Sequence, residues 1–125
     1  MKMLVVDDSL SLRERLVRMF SGMKGVELVA QAADVRLAYD AVEEMQPEVI
    51  ILDIQMRDGN GIDLLRDVKQ KYPDTVAIML TNYPYAQYRQ KCAELGADYF
   101  FSKSTDLKQL IKTIQQLAGE SGFHE

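Results

Sequence analysis

The sequence predicts an α/β fold, a doubly wound five-stranded parallel sheet with helices on both faces. Three observations carry that expectation. Short apolar runs alternate with longer amphipathic stretches along the whole chain. The runs are continuous rather than alternating with polar residues, which is the pattern of strands buried on both faces. Most of them also close on residues able to do chemistry. Asp7 and Asp8 follow Met3-Leu4-Val5-Val6, Asp53 follows Val49-Ile50-Ile51-Leu52, Thr81 ends the run that starts at Val76, and Lys103 lies just past Tyr99-Phe100-Phe101.

Each element has a local reason. The first strand is predicted over 3–7, and Ser9 is placed to cap a helix whose apolar residues Leu12, Leu16, Met19, Phe20 and Met23 recur at helical spacing. A second strand is predicted over 26–30. Helix two starts near Asp34, presents Ala38, Ala41, Val42 and Met45, and stops before Pro47. The third strand, 49–53, leads into the flexible turn Arg57-Asp58-Gly59-Asn60-Gly61. Helix three then presents Ile62, Leu65 and Val68 and ends near Tyr72-Pro73. After a fourth strand over 76–80, helix four spans about 84–95 with two competing stripes. An alanine face (Ala86, Arg89, Ala93) can pack on the sheet and leave the tyrosines partly exposed, or the stripe Tyr85, Tyr88, Cys92 and Leu95 can be core. A fifth strand over 98–101 precedes helix five, with Leu107, Leu110, Ile111, Ile114 and Leu117, ended by Gly119. The domain is therefore expected over 1–119, with 120–125 a frayed tail. Five βα units with right-handed crossovers make a three-layer sandwich, but periodicity does not give the strand order.

Composition narrows the function. With 125 residues, 47% apolar and 27% charged, the chain is one ordinary globule. A net charge of −4 argues against a direct nucleic-acid surface. No apolar run approaches the roughly 18 residues of a membrane span, and no signal peptide precedes the first strand. Cys92 is the lone cysteine, so no intramolecular disulfide forms, and a cytoplasmic location is expected. His124 is the only histidine and lies in the expected frayed tail, which argues against a His-based triad, and one histidine excludes multi-His metal sites.

In an open parallel sheet the ligand site lies outside the carboxyl ends of the strands. Asp7, Asp8, Asp53, Thr81 and Lys103 are therefore expected on one rim. Clustered carboxylates repel one another, and a divalent cation removes that repulsion. Mg²⁺ takes hard oxygen ligands, with Asp8 and Asp53 suited as direct ligands, Asp7 through water, and a backbone carbonyl from the loop after Asp53. Asp53 is the best covalent phosphoryl acceptor, while Thr81 donates a hydrogen bond and Lys103 supplies a point charge. Taken singly, each residue has an ordinary role as a cap or a solvated turn; the coincidence of five on the right strand ends carries the argument.

Those residues resemble the receiver domains of two-component response regulators over essentially the whole chain. The likeness rests on Val6-Asp7-Asp8-Ser9 with Arg13, Leu52-Asp53 with Gly59-Asn60-Gly61, Leu80-Thr81, Gly96-Ala97-Asp98, and Phe100-Phe101-Ser102-Lys103. It implies a flavodoxin-like sheet of order 2-1-3-4-5 and an aspartyl phosphate formed at Asp53 from the phosphohistidine of a sensor histidine kinase or phosphotransfer protein, with Mg²⁺. It further implies an acidic pocket of Asp7 and Asp8, the Gln55 carbonyl as a metal ligand, Thr81 and Lys103 sensing phosphate, and Phe100 as an aromatic switch. The readout is a face of helix four, strand five and helix five, on or near which Tyr85, Tyr88 and Lys108 are expected. Ser104 stands where many relatives carry proline, Arg57 replaces another frequent proline, Asn82 is larger than usual, and Gln55 and Tyr83 flank the site. With the sequence ending just after helix five, output is expected through an unidentified downstream protein, a phosphorylation-dependent dimer, or onward transfer, not through turnover catalysis. The competing readings fit less well. An aspartate-nucleophile phosphatase needs a second acid where Gln55 stands, a nucleotide or flavin module needs a glycine-rich loop after strand one, and a degenerate scaffold would not keep the acidic pocket.

Overall fold

Parallel pairing of the apolar runs builds the sheet. In the computed structural model, which describes residues 1–122, β1 (Lys2–Val6) sits between β2 (Leu28–Ala32) and β3 (Val49–Leu52). Beyond β3 come β6 (Val76–Thr81) and β7 (Tyr99–Ser102), giving the order β2-β1-β3-β6-β7. In sheet strands alone this is the expected 2-1-3-4-5. The helices α1 (Leu10–Ser21), α2 (Val35–Met45), α3 (Gly61–Lys71), α4 (Ala86–Glu94) and α5 (Leu107–Gly122) alternate with the strands. A small antiparallel hairpin, β4 (Gln55–Met56) with β5 (Gly59–Asn60), forms from the turn after Asp53.

The two sheet faces carry separate cores. Leu4, Val6, Ile50, Leu52, Ala77 and Met79 pack with residues of α2, α3 and α4. Their strand neighbours Met3, Val5, Val49, Ile51, Ile78 and Leu80 pack against α1 and α5. Side chains alternate across a strand, so a run apolar at every position must be covered on both sides. The caps read from the sequence form. The Leu12 amide donates to Ser9 Oγ (3.3 Å) and the Leu37 amide to Asp34 Oδ1 (2.8 Å).

Several expectations are corrected. The second strand runs two residues later than 26–30, because the Val26 amide closes a turn onto Met23, and the paired register begins with Leu28 against Lys2. The last strand starts at Tyr99, since Asp98 uses its carboxylate to accept from the Ala77 amide (2.9 Å) and to pair with Lys69 (3.1 Å). Of the two stripes left open for α4, the tyrosine and cysteine stripe is the one that packs, and Ala86 and Ala93 are exposed. Cys92 is fully buried, with Tyr88 and Leu95 against the same core, while Tyr85 at the helix entry stays 53% exposed. Helix α5 passes Gly119 and reaches Gly122; Gly119 does not adopt the left-handed conformation that would end it. The first three residues of the expected frayed tail are thus helical, and 123–125 lie outside the described residues. No peptide bond among the described residues is cis, Lys103-Ser104 included.

Candidate active-site rim

The β1, β3, β6 and β7 ends place the acids, the hydroxyl and the ammonium on one rim. Asp7 and Asp53 each stand one residue past their strand, yet their amides extend the ladder, Asp7 to the Ala32 carbonyl (3.2 Å) and Asp53 to the Val6 carbonyl (3.3 Å). Both carboxylates are buried. Between them sits Lys103, whose Nζ lies 2.7 Å from Asp7 Oδ2 and 2.8 Å from Asp53 Oδ2. The Lys103 amide in turn donates to the Thr81 carbonyl (2.9 Å), so one residue ties together the ends of β1, β3, β6 and β7.

Every polar atom of Asp7 is engaged. The Ser9 amide donates to Oδ1 (2.9 Å), Lys103 to Oδ2, and the Arg13 Nη1 to the main-chain carbonyl (2.7 Å). The Asp53 Oδ1 accepts from the Ile54 amide (2.6 Å). Burial pushes Asp7 above the usual carboxylate range, outweighing the Lys103 hydrogen bond, and the nearby Asp53 charge adds to the rise. Desolvation alone would lower Lys103, but hydrogen bonds to Asp53 and Asp7 more than offset it, and the ammonium is held above its ordinary value. The two directions agree physically: one ammonium answers to two carboxylates, whereas Asp7 loses water and faces a like charge.

The remaining expected residues divide. Asp8 is half-buried and stands outside the ion-paired set. Among the described residues no three His, Cys, Asp or Glu side chains are grouped to hold a metal ion, so the three acids are not gathered as tightly as the sequence suggests. Lys103 holds Asp7 and Asp53 close together, and Asp8 is the acid left out of that ion-paired set. Thr81 is fully buried at the rim, where its Oγ1 accepts from the Tyr83 amide (3.0 Å). Gln55 lies exposed in β4, paired with Asn60, and Phe100 is half-buried on β7 beside Met79. Tyr85 and Tyr88, expected on the partner face, lie with ring centroids 5.9 Å apart, Tyr83 beside the rim stands 6.2 Å from Tyr85, and Lys108 is exposed on α5.

Two contributors were not assigned a role from sequence. Arg13 is buried, donating also through Nε to Gln31 Oε1 (2.9 Å). Its signal was available, since Arg13, Leu16 and Phe20 follow one helical stripe and a cation there needs acceptors inside. Asp58 accepts from the Val35 (2.8 Å) and Arg36 (3.2 Å) amides, fastening the hairpin after Asp53 to the N-terminus of α2. No sequence signal links residues so far apart in the chain.

Comparison with known proteins identifies the family and the fold. The family model of the response regulator receiver domain matches residues 3–115. An uncharacterized transcriptional regulatory protein, YhcZ of Bacillus subtilis (strain 168), is 31% identical over 120 residues, covering 96% of this chain and 56% of that protein. The chain thus spans about half the length of the curated relatives it matches first. The Vibrio cholerae chemotaxis protein CheY4 superposes with a TM-score of 0.80 at 29% identity, covering 92% of this chain and 96% of that one. The signal receiver domain of a DNA-binding response regulator from Colwellia psychrerythraea 34H shares the fold, with a TM-score of 0.85 at 21% identity over 94% and 98% of the two chains. Among the described residues no helix is long and apolar enough to cross a membrane. With the family model running from the first strand into the last helix, this chain belongs to the response regulator receiver domains.

Proposed function

We propose that Asp53 accepts a phosphoryl group from a phosphohistidine donor and that the resulting acyl phosphate switches protein contacts in the cytoplasm. The observation that carries this reading is the single ammonium of Lys103 shared by two buried carboxylates, Asp7 and Asp53. Two buried acids and one cation leave a net negative rim that a further cation would balance. In transfer, an Asp53 carboxylate oxygen forms the new P–O bond while the P–N bond to the donor imidazole breaks, and the imidazole leaves as the neutral ring once protonated. Lys103 then exchanges its contact with Asp53 Oδ2 for a phosphoryl oxygen, and the Thr81 hydroxyl donates to another.

The donor set suits Mg²⁺: hard carboxylate oxygens, two of them already within reach of one cation, with Asp8 not committed to those ion pairs. Asp8 and Asp53 would hold the ion directly, Asp7 through water and the Gln55 carbonyl as a further ligand; when bound it neutralises the acids against the incoming phosphoryl charge. The chain acts as acceptor and self-limiting switch rather than as a turnover enzyme. Its output face comprises α4, β7 and α5, with Tyr85, Tyr88 and Lys108.

Incubation with acetyl phosphate and Mg²⁺ tests the reading by intact mass. One phosphoryl group is expected on the wild type and none on Asp53→Asn. Equal uptake by Asp53→Asn, or none by the wild type, overturns the assignment. Asp8→Ala should abolish Mg²⁺ binding and leave the fold as stable or more so, through relief of carboxylate repulsion; unchanged Mg²⁺ affinity removes Asp8 from the ligand set.

A further inference from the structure

Phe100 and Thr81 share the sheet face that α4 covers, because Phe100 pairs in register with Met79 and side chains two apart on a strand point the same way. Phe100 is half-buried. The guanidinium carbon of Arg89, an exposed residue of α4, lies 4.6 Å from its centroid. Nη1 of the same guanidinium donates to the Phe100 main-chain carbonyl at 3.3 Å. Arg89 therefore grips both the ring and the backbone of one residue, and it forms none of the ion pairs found among the described residues.

We propose that Arg89 is a positioning residue for the switch: it holds the Phe100 ring against α4 in the resting arrangement and thereby sets the cost of turning it inward toward Thr81. The inference rests on reading Asp53 as phosphoacceptor and Phe100 as the moving ring. Its physical basis is the attraction of a cation to a ring face. A ring that turns inward leaves the guanidinium behind, since the carbonyl contact anchors Arg89 to backbone that stays in the sheet. A contact made in one state and weakened in the other biases the equilibrium by that difference. At the resting end, Thr81 Oγ1 is likewise engaged, by the Tyr83 amide, so both halves of the switch start restrained.

The test uses beryllofluoride with Mg²⁺ as the phosphoryl mimic, titrated into wild type, Arg89→Ala and Arg89→Lys, with the Phe100 ring resonances followed by NMR. Arg89→Ala should bind the mimic about two- to fivefold more tightly, the factor expected for losing one exposed cation–ring contact from the resting state. Its ring resonances should also shift, before any mimic is added, toward their positions in the bound wild type. Arg89→Lys keeps the charge but not the planar stacking group, and should fall between the two. A stability loss with unchanged affinity and unmoved ring resonances would make Arg89 a mere staple of α4 to β7 and overturn the inference. Should the wild type bind no beryllofluoride, the phosphoacceptor reading falls and takes this one with it; if it binds and Arg89→Ala matches it, this one falls alone.

Discussion

Replacing Gly61 with alanine should unsettle the fold and disable Asp53 together. Alanine is ordinarily favoured over glycine in a helix by about 1 kcal/mol, and Gly61 is the first residue of α3. The local surroundings reverse that preference. A Cβ at Gly61 would stand 1.7 Å from the Asp53 carbonyl oxygen and 2.8 Å from its carbonyl carbon, where ordinary contact begins at 3.4 Å. The obstacle is the main chain of Asp53 itself, not a side chain that can rotate away. Relief must also stretch the bond from the Gly61 amide to the Ile54 carbonyl, now 2.7 Å. Overpacking costs about 1–3 kcal/mol, and a buried backbone bond left unmade costs about 1–3 kcal/mol more. Set against the helix preference, the net loss is about 1–5 kcal/mol. Gly25→Ala is the control. Its Cβ would meet the Ala118 carbonyl oxygen at 2.4 Å, and φ of +92° is strained for alanine, but the site lies at the other end of the sheet. Urea denaturation gives the stability of each variant, and phosphoryl uptake from acetyl phosphate, measured where both remain folded, gives competence. Both variants should be destabilised, and only Gly61→Ala should lose uptake. Wild-type uptake by Gly61→Ala would refute the claim that α3 is packed directly on the Asp53 backbone.

Two further outcomes are expected. Lys103→Met leaves Asp7 and Asp53 buried without their cation, so in chelator it should lose about 3–5 kcal/mol and then recover more melting temperature on adding Mg²⁺ than the wild type does; equal metal dependence in the two proteins would contradict the shared-cation geometry. Tyr39, which donates to Asp67, is pushed up to about 12 by burial first and by that hydrogen bond second. The fold favours the neutral phenol, so this stabilisation is complete below the ordinary value of 10 and is lost as pH rises through about 12. An ultraviolet titration should show one late phenol that Tyr39→Phe removes; loss of an ordinary phenol instead would refute the Tyr39–Asp67 contact.

The elements were legible because their causes are local. Ser9 and Asp34 announce helix starts by caps that act three residues on, and the unbroken run 49–52 announces a doubly covered strand whatever lies beside it. The remainder depended on packing. The second strand starts two residues late because Val26 turns back onto Met23 and Leu28 is the first residue paired with β1, and α4, for which both stripes were possible, turns Cys92 into the core. Gly119 permits a helix stop without requiring one. The alanine and tyrosine stripes of α4 are nearly equal as patterns, so only the packing partner decides between them.

The residue types at the strand ends, and hence the acid, hydroxyl and ammonium chemistry of the rim, were determined by the sequence alone, since the direction of a buried strand fixes which end its last residue occupies. Tertiary structure decided how those groups share their charges. That Lys103 spans Asp7 and Asp53 while Asp8 stands apart depends on distances between segments 50 or more residues apart, and that Arg89 lies on Phe100 depends on how α4 seats against β7. Electrostatic and hydrogen-bond partnerships act over a few ångströms in space, and no local pattern encodes which distant residue will be brought that near.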